Sequence, residues 1–261
     1  GAALGVGVGL LAKNFIQQAG AMEQNQVAFK TMIGSAEIAT ETLKKMQDFA
    51  KKTPFNLPEL VEGGKRLLAY GATAEDLIPT LDTLGNIAAG VGREKLPQLI
   101  LAFGQVKAVT HLTGMELRQF SEAGVPLLET LARQFGKTSS EIQDMVTKGQ
   151  IGFKDVEQAL TSMTSEGGKF HNLMQDQSKT TLGMLSNLGD AWSRLSITLG
   201  TVMKPATDTL ITSLIGLVEG LDGWAQKNPQ IAAGLMAVVG GIALIGAAIL
   251  PLTGMISLFN A

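Results

Sequence analysis

The stretch TPFNLPELVEGGKRLLAYG, residues 53–71, contains one complete helix signal with its start and its stop. Asn56 and Glu59 have the spacing of a capping box, in which each side chain accepts the backbone N–H of the other residue. The second proline of the stretch falls in the first turn, where its missing N–H is not needed. Gly71 follows the last apolar residues and favours a helix end. The stretch therefore predicts one short amphipathic helix.

The same start and stop signals recur between residues 53 and 167. Apolar residues between the signals return at three- and four-residue spacing, as they do on one face of a helix. Residues 53–167 are therefore predicted to form a compact bundle of six to eight short helices. The other capping pairs are Thr73 with Asp76, Thr113 with Glu116 and Thr138 with Glu141, and further glycine stops are Gly124, Gly136 and Gly149.

Longer helices are predicted on both sides of this bundle. Residues 1–52 are predicted to form one long helix with a start of small residues, because the apolar residues from 21 to 51 keep to one face until Thr53-Pro54 ends it. Residues 168–228 are predicted to form long amphipathic helices, the first from residue 169 to residue 203 and the second kinked or restarted at Pro205. No stretch alternates apolar and polar residues as a strand does, so the predicted fold class is all-α. The two apolar stripes contain Leu173, Leu182, Leu185, Leu188, Trp192, Leu195 and Leu199, and then Leu210, Leu214, Leu217, Val218, Leu221 and Trp224.

Residues 229–261 form a hydrophobic segment around the charge-free run IAAGLMAVVGGIALIGAAIL, residues 231–250. As a helix this run would span roughly 30 Å, which is the hydrocarbon thickness of a bilayer. A helix that is apolar on all sides must be covered, either by lipid or by other copies of itself in an oligomeric bundle. We therefore predict a membrane-length helix here, buried in an oligomer before any contact with a bilayer.

Composition and charge exclude several function classes. Hydrophobic residues make up 45% of the chain and aromatic residues 5%, which suits helix packing through aliphatic side chains. The net charge of −2 does not indicate DNA binding, which needs a dense cationic face. The chain contains no cysteine, so disulfides, thiol nucleophiles and thiolate zinc ligands are excluded.

Few residues suggest chemistry. The glycine-rich GVGVG at residues 5–9 lacks the preceding strand and the lysine of a nucleotide loop. The two histidines are far apart in sequence, and a metal site would need further ligands. The paired carboxylates stand at helix starts, where they complement the positive end of the helix dipole. We therefore predict no enzyme activity, no cofactor, and no catalytic, cofactor-binding or metal site; the residues considered are His111, His171, Glu75, Asp76, Glu141 and Asp144.

Several segments resemble the tape measure region of long-tailed phage and prophage tails, over roughly residues 21–192. The resemblance implies a long helical structural protein that sets tail length and lies in the tail lumen in a few copies. It also implies ejection ahead of the DNA, and in some members help for the genome at the inner membrane. Some members carry peptidoglycan-cleaving modules, which this sequence does not show. The matching segments are VAFKTMIGSAEIATETLKKMQDFAKKTPFNLPELVEGGKRLLAYG (27–71), GMELRQFSEAGVPLLETLA (114–132), KGQIGFKDVEQAL (148–160) and TLGMLSNLGDAW (181–192).

The resemblance and the apolar ends together predict an assembly. We expect a homo-oligomer, most simply a trimer and next a hexamer, with residues 1–11 and 231–258 near its axis. The other expected partners are tail tube and tail tip proteins and, during ejection, the host inner membrane. The expected location is the virion, inside the tail, and the host cytoplasm during assembly.

Since the sequence starts with glycine, we expect a piece of a longer chain. The alternative is a membrane-inserting pore-forming protein or toxin with a helical soluble head.

Overall fold

A computed structural model describes the backbone of residues 2–231 and the side chains of most residues from 15 to 231. Within this range the protein is all-α, as predicted, and one isolated bridge between His111 and Gly152 is the only extended pairing. A 3-10 turn, Arg93–Lys95, lies between the fourth and fifth helices. The helices are α1 (Ala2–Ile33), α2 (Ala36–Ala50), α3 (Leu57–Ala69), α4 (Leu77–Val91), α5 (Leu96–Val109), α6 (Gly114–Glu122), α7 (Leu127–Phe135), α8 (Ser139–Thr147), α9 (Phe153–Thr164), α10 (Leu173–Ser178) and α11 (Thr181–Lys227).

The middle of the chain is a bundle of short helices, α3 to α9, in agreement with the six to eight expected from the sequence. The capping boxes predicted before α3, α6 and α8 are all present, so the local signals place these helix starts correctly. Left-handed glycines follow α3, α6, α7 and α8, as the predicted stops require. The helices share one core of buried apolar side chains, among them Leu60, Leu81, Ile100, Phe120 and Leu160.

The N-terminal region is two helices, so the single helix predicted for residues 1–52 was wrong. Gly34 has a φ of +82°, which glycine adopts without strain, and it ends α1. Ser35 then caps α2, its side chain accepting the N–H three residues further on. The bend lets α2 pack against α1, and Phe29 and Leu43 both enter the core. The apolar spacing runs across the bend, which is why the sequence pattern did not reveal it.

Residues 169–203 also differ from the single helix predicted there. Phe170 and Met174 are buried in the core, and the short helix α10 precedes α11. Asn172 takes a left-handed φ of +59° at the bend before α10. A continuous helix would forgo the burial of these two apolar side chains, and this explains the break. Further on, α11 continues through Pro205, so the proline does not restart the helix.

By compactness the chain divides into two units, residues 1–201 and residues 202–261, the second described as far as residue 231. Among the described residues, no helix is both long enough and apolar enough to cross a membrane. The membrane-length helix predicted for residues 231–250 lies, beyond its first residue, outside the described part of the chain.

Candidate functional site

The most distinctive surface of the first unit is a row of large apolar side chains on α11. We call these residues the α11 stripe: Leu185, Leu188, Trp192, Leu195 and Leu199. Their exposed fractions run from 36% at Leu199 to 67% at Leu188. Scattered apolar residues are normal on a protein surface, but a continuous row of this size is typical of an interaction site.

A close helix crossing fixes the stripe beside α1. Gly200 is buried there, and a Cβ at this position would overlap the carbonyl oxygen of Phe15 and lie 2.7 Å from the Cβ of Ala19. Ser196, one turn earlier on the same face of α11, is fully buried. The rings of Phe15 and Trp192 have their centroids 6.2 Å apart. The face of α11 that packs on α1 therefore lies beside the face that carries the stripe, and this contact leaves the stripe on the outside.

A strap formed by residues 169–180 joins the bundle to α11. The strap packs on α4. Met174 of its helix α10 lies against Gly85, and Phe170, which precedes α10, lies against Gly90. Both glycines lack the Cβ that would collide with these side chains. Gln177 at the end of the strap donates its side-chain N–H to a backbone carbonyl of α4 at 2.5 Å. The start of α11 is thereby held on the bundle.

A second surface feature, which is concave, lies between the starts of α3 and α5. It is a groove of about 630 Å³ with an apolar floor that includes Phe55, Leu96 and Ile100. On its rim, Glu62 forms a 2.8 Å ion pair with Lys65, and the hydrogen bond from Lys65 holds the pKa of the Glu62 carboxyl below its usual value. The charge of Glu62 is thus used in contacts with its neighbours Lys65 and Arg66 on the same helix.

Arg93, also on this rim, connects the groove to the loop before α3. Its guanidinium donates a hydrogen bond to the backbone carbonyl of Pro54 and lies 5.5 Å from the centre of the Phe55 ring. The hydroxyl of Ser186 on α11 donates to the same carbonyl at 3.3 Å. These contacts position the first turn of the stripe and suggest a structural use for the arginine.

Four of the six candidate chemical residues lie in structural contacts. The Nδ1 atoms of His111 and His171 each lie 3.0 Å from a nearby backbone carbonyl oxygen. Glu141 belongs to the cap of α8, and the Thr138 backbone N–H lowers the pKa of its carboxyl. Asp76 accepts the Thr73 backbone N–H at 3.2 Å before α4. Residues 5–9 lie within the helix α1, and among the described residues no three His, Asp or Glu side chains come together as a metal site would require.

The spacing of apolar residues predicts the row on α11, but it does not predict the contacts that position this row. The crossing with α1, the strap and the groove were not expected from the sequence. The available signal was the set of glycines inside helices, such as Gly85, Gly90 and Gly200, since each of them has a neighbouring side chain or backbone where a Cβ would stand. A glycine inside a helix costs about 1 kcal/mol relative to alanine, so its presence there suggests a packing reason.

Comparison with known proteins gives one family. A family model described as tape measure protein matches residues 13–200 of the 261-residue chain, which includes the bundle, the strap and the α11 stripe. No curated protein and no solved structure matches the chain. Because the matched part is well over half of the sequence and contains each of these features, the chain belongs to the tape measure protein family.

Proposed function

We propose that this chain is a structural segment in the lumen of a phage tail, where it acts as part of the ruler for tail length and in tail assembly. The family match over residues 13–200 carries the proposal, since the family is structural rather than enzymatic. The exposed α11 stripe supports an assembly role, because such a row of apolar side chains needs a partner. The family match favours this function over the alternative of a pore-forming toxin.

We further propose that the working form is a homo-oligomer in the virion, first a trimer and next a hexamer. Support comes from the apolar, charge-free residues 1–11 and 231–258, which favour burial near a symmetry axis. Tail tube and tail tip proteins are the expected further partners. A later step, in which residues 231–250 contact the host inner membrane during genome ejection, is supported by the length and apolarity of that run.

The ruler function is tested by lengthening the chain. A phage with α11 duplicated in frame gains 47 helical residues, and its tail should be longer by roughly 70 Å at 1.5 Å per residue. A second duplication should add the same length again. Tail length is measured by electron microscopy on purified particles, with the longer chain verified in them by mass spectrometry. An unchanged tail length in particles that contain the longer chain would contradict the ruler function.

A further inference from the structure

The α11 stripe has the spacing of a coiled-coil seam. Its five residues are separated by three, four, three and four positions, which is the alternation of a and d positions in a heptad repeat. Leu185, Trp192 and Leu199 take the a positions, and Leu188 and Leu195 take the d positions. Helices with such a seam associate by inserting its residues between those of a similar seam on another helix.

This seam is open on the first unit. Leu188 at its first d position is 67% exposed, whereas Ser196 and Gly200 on the adjacent face are buried beside α1. The helix α1 therefore lies along one flank of the seam, with Phe15 beside Trp192, and the a and d side chains remain 36–67% exposed.

The positions beside the seam favour an identical partner. The flanking e and g positions are uncharged and include Gly189, Ala191 and Thr198. The charged residues of this stretch, Asp190 and Arg194, fall at f and c positions, away from the seam. Two identical stripes therefore meet without bringing like charges together, and the small residues permit close approach of the helices. A nucleic acid, in contrast, would meet no cation along the seam.

The position of α1 also favours one orientation. Residues of α1 lie beside Gly200, a b position, and beside Trp192, an a position. The e positions, which include the buried Ser196, fall between these two on the helix surface, so α1 lies on the e flank. In a parallel coiled coil the e flank of one helix faces the g flank of the next. In an antiparallel pair two e flanks would face each other, and the two copies of α1 would compete for the same space. In a parallel arrangement each α1 instead lies beside the g flank of the neighbouring copy, which no helix in the described part of the chain covers.

We infer that the α11 stripe binds the same stripe of further copies of this chain, in parallel and in register, as a short coiled coil. The inference rests on the proposed scaffold function and assigns the surface through which the copies associate. In this arrangement each leucine or tryptophan of the stripe meets its own equivalent in the neighbouring copies.

Cysteine cross-linking of the full chain tests the assigned surface, because the natural chain contains no cysteine. Leu185→Cys and Leu188→Cys should each form disulfide-linked dimers on mild oxidation, since equivalent seam positions come within disulfide range. The matched control is Thr201→Cys, at an exposed c position of the same helix, which should give roughly tenfold less cross-linked product. An antiparallel pair would instead place a positions against d positions, so Leu185→Cys would cross-link with Leu195→Cys in a mixture and not with itself.

A second measurement distinguishes self-association through the stripe from self-association through another surface. The double variant Leu188→Asp/Leu195→Asp should lower the mass measured by light scattering to that of a monomer, whereas Thr201→Asp should leave the oligomer intact. If the natural chain is an oligomer but the stripe cysteines cross-link no better than Thr201→Cys, the stripe assignment is wrong and the scaffold function stands. If the natural chain is a monomer at all concentrations, both the self-association and the stripe assignment are overturned.

Discussion

The backbone N–H of Met174 donates a hydrogen bond of 3.0 Å to the side-chain Oδ1 of Asn86, a residue 88 positions earlier in the chain. Asn86 is 6% exposed, and its amide N–H donates at 3.0 Å to the backbone carbonyl of Asp82 within α4. The one side chain therefore supplies an acceptor to the strap and a donor to its own helix. It is a buried polar contact that holds the strap on the bundle.

Replacing Asn86 by leucine should destabilise the chain by about 1–3 kcal/mol, because the Met174 N–H is left buried without its acceptor. The measurement is urea unfolding followed by circular dichroism. The control is Gln158→Leu on the exposed face of α9, which should change the free energy of unfolding by less than about 0.5 kcal/mol. Equal effects of the two substitutions would show that the hydrogen bond to the strap is unimportant.

Two glycines of α11 should respond in opposite ways to alanine. Gly189 has nothing within 4 Å of a built Cβ, so Gly189→Ala should stabilise the helix by up to about 1 kcal/mol. The same change at Gly200 drives a methyl group into the carbonyl oxygen of Phe15, so Gly200→Ala should destabilise the crossing with α1. Thermal unfolding compares the two variants. In a Trp224→Phe background, the fluorescence of Trp192, whose ring lies near Phe15, reports separation of the two helices.

The cap of α8 should make a pH-dependent contribution to stability. The Thr138 backbone N–H, which Glu141 accepts at 2.8 Å, is the main cause of its lowered pKa, and the Thr138 hydroxyl adds to it. A carboxyl with a lower pKa in the folded than in the unfolded state stabilises the fold above its unfolded pKa, and this contribution is lost as the pH falls through the folded value.

Glu141→Ala should therefore lower the thermal midpoint at pH 7, and the difference from the natural chain should shrink as the pH is lowered to about 3. The control is Asp144→Ala, which removes a carboxyl from the same helix without touching the cap. If the difference in thermal midpoint between Glu141→Ala and the natural chain stays constant from pH 7 to about pH 3, the carboxylate contributes nothing to stability through its charge.

Helix starts and stops were predictable because their signals are local. Asn56 and Glu59 are three positions apart, and their reciprocal hydrogen bonds form within a single turn. The two wrong predictions concern helix breaks whose benefit is tertiary. The bend at Gly34 brings α2 back along α1, and the bend at Asn172 lets the strap reach α4. Neither gain is visible in the spacing of nearby residues.

The candidate site was predictable in part for the same reason. The row of apolar residues on α11 follows from the sequence, since Leu188 and Trp192 lie one turn apart on the helix. Its exposure does not follow, because an apolar row is equally typical of a buried helix face. The crossing at Gly200 decides which face of α11 is covered, and it joins residues that are nearly the whole first unit apart in the chain.

The run of residues 231–250 supports the last prediction, which concerns genome delivery. The run is free of charge, and Gly240 and Gly241 near its centre permit close helix packing. A charge at the centre of an inserted helix costs roughly 2.5–3.5 kcal/mol on insertion scales, so Ala243→Asp or Ala243→Arg should weaken membrane insertion about a hundredfold. Ala243→Leu keeps the run apolar, and Gln230→Asp adds a charge just outside it, so both controls should retain insertion.

The phage that carries Ala243→Asp separates the membrane role from assembly. We expect tails of normal length by electron microscopy, together with a strong loss of DNA entry into the host, because in the proposed function the ruler acts before ejection and the membrane contact during it. Normal tails with unchanged infectivity would contradict the membrane role. If instead the tails fail to assemble, the run is needed for packing inside the tail, and binding of the purified chain to lipid vesicles decides the membrane question. In that assay the chain with Ala243→Asp should bind about a hundredfold more weakly than the chain with Ala243→Leu, and equal binding would rule out insertion of this run.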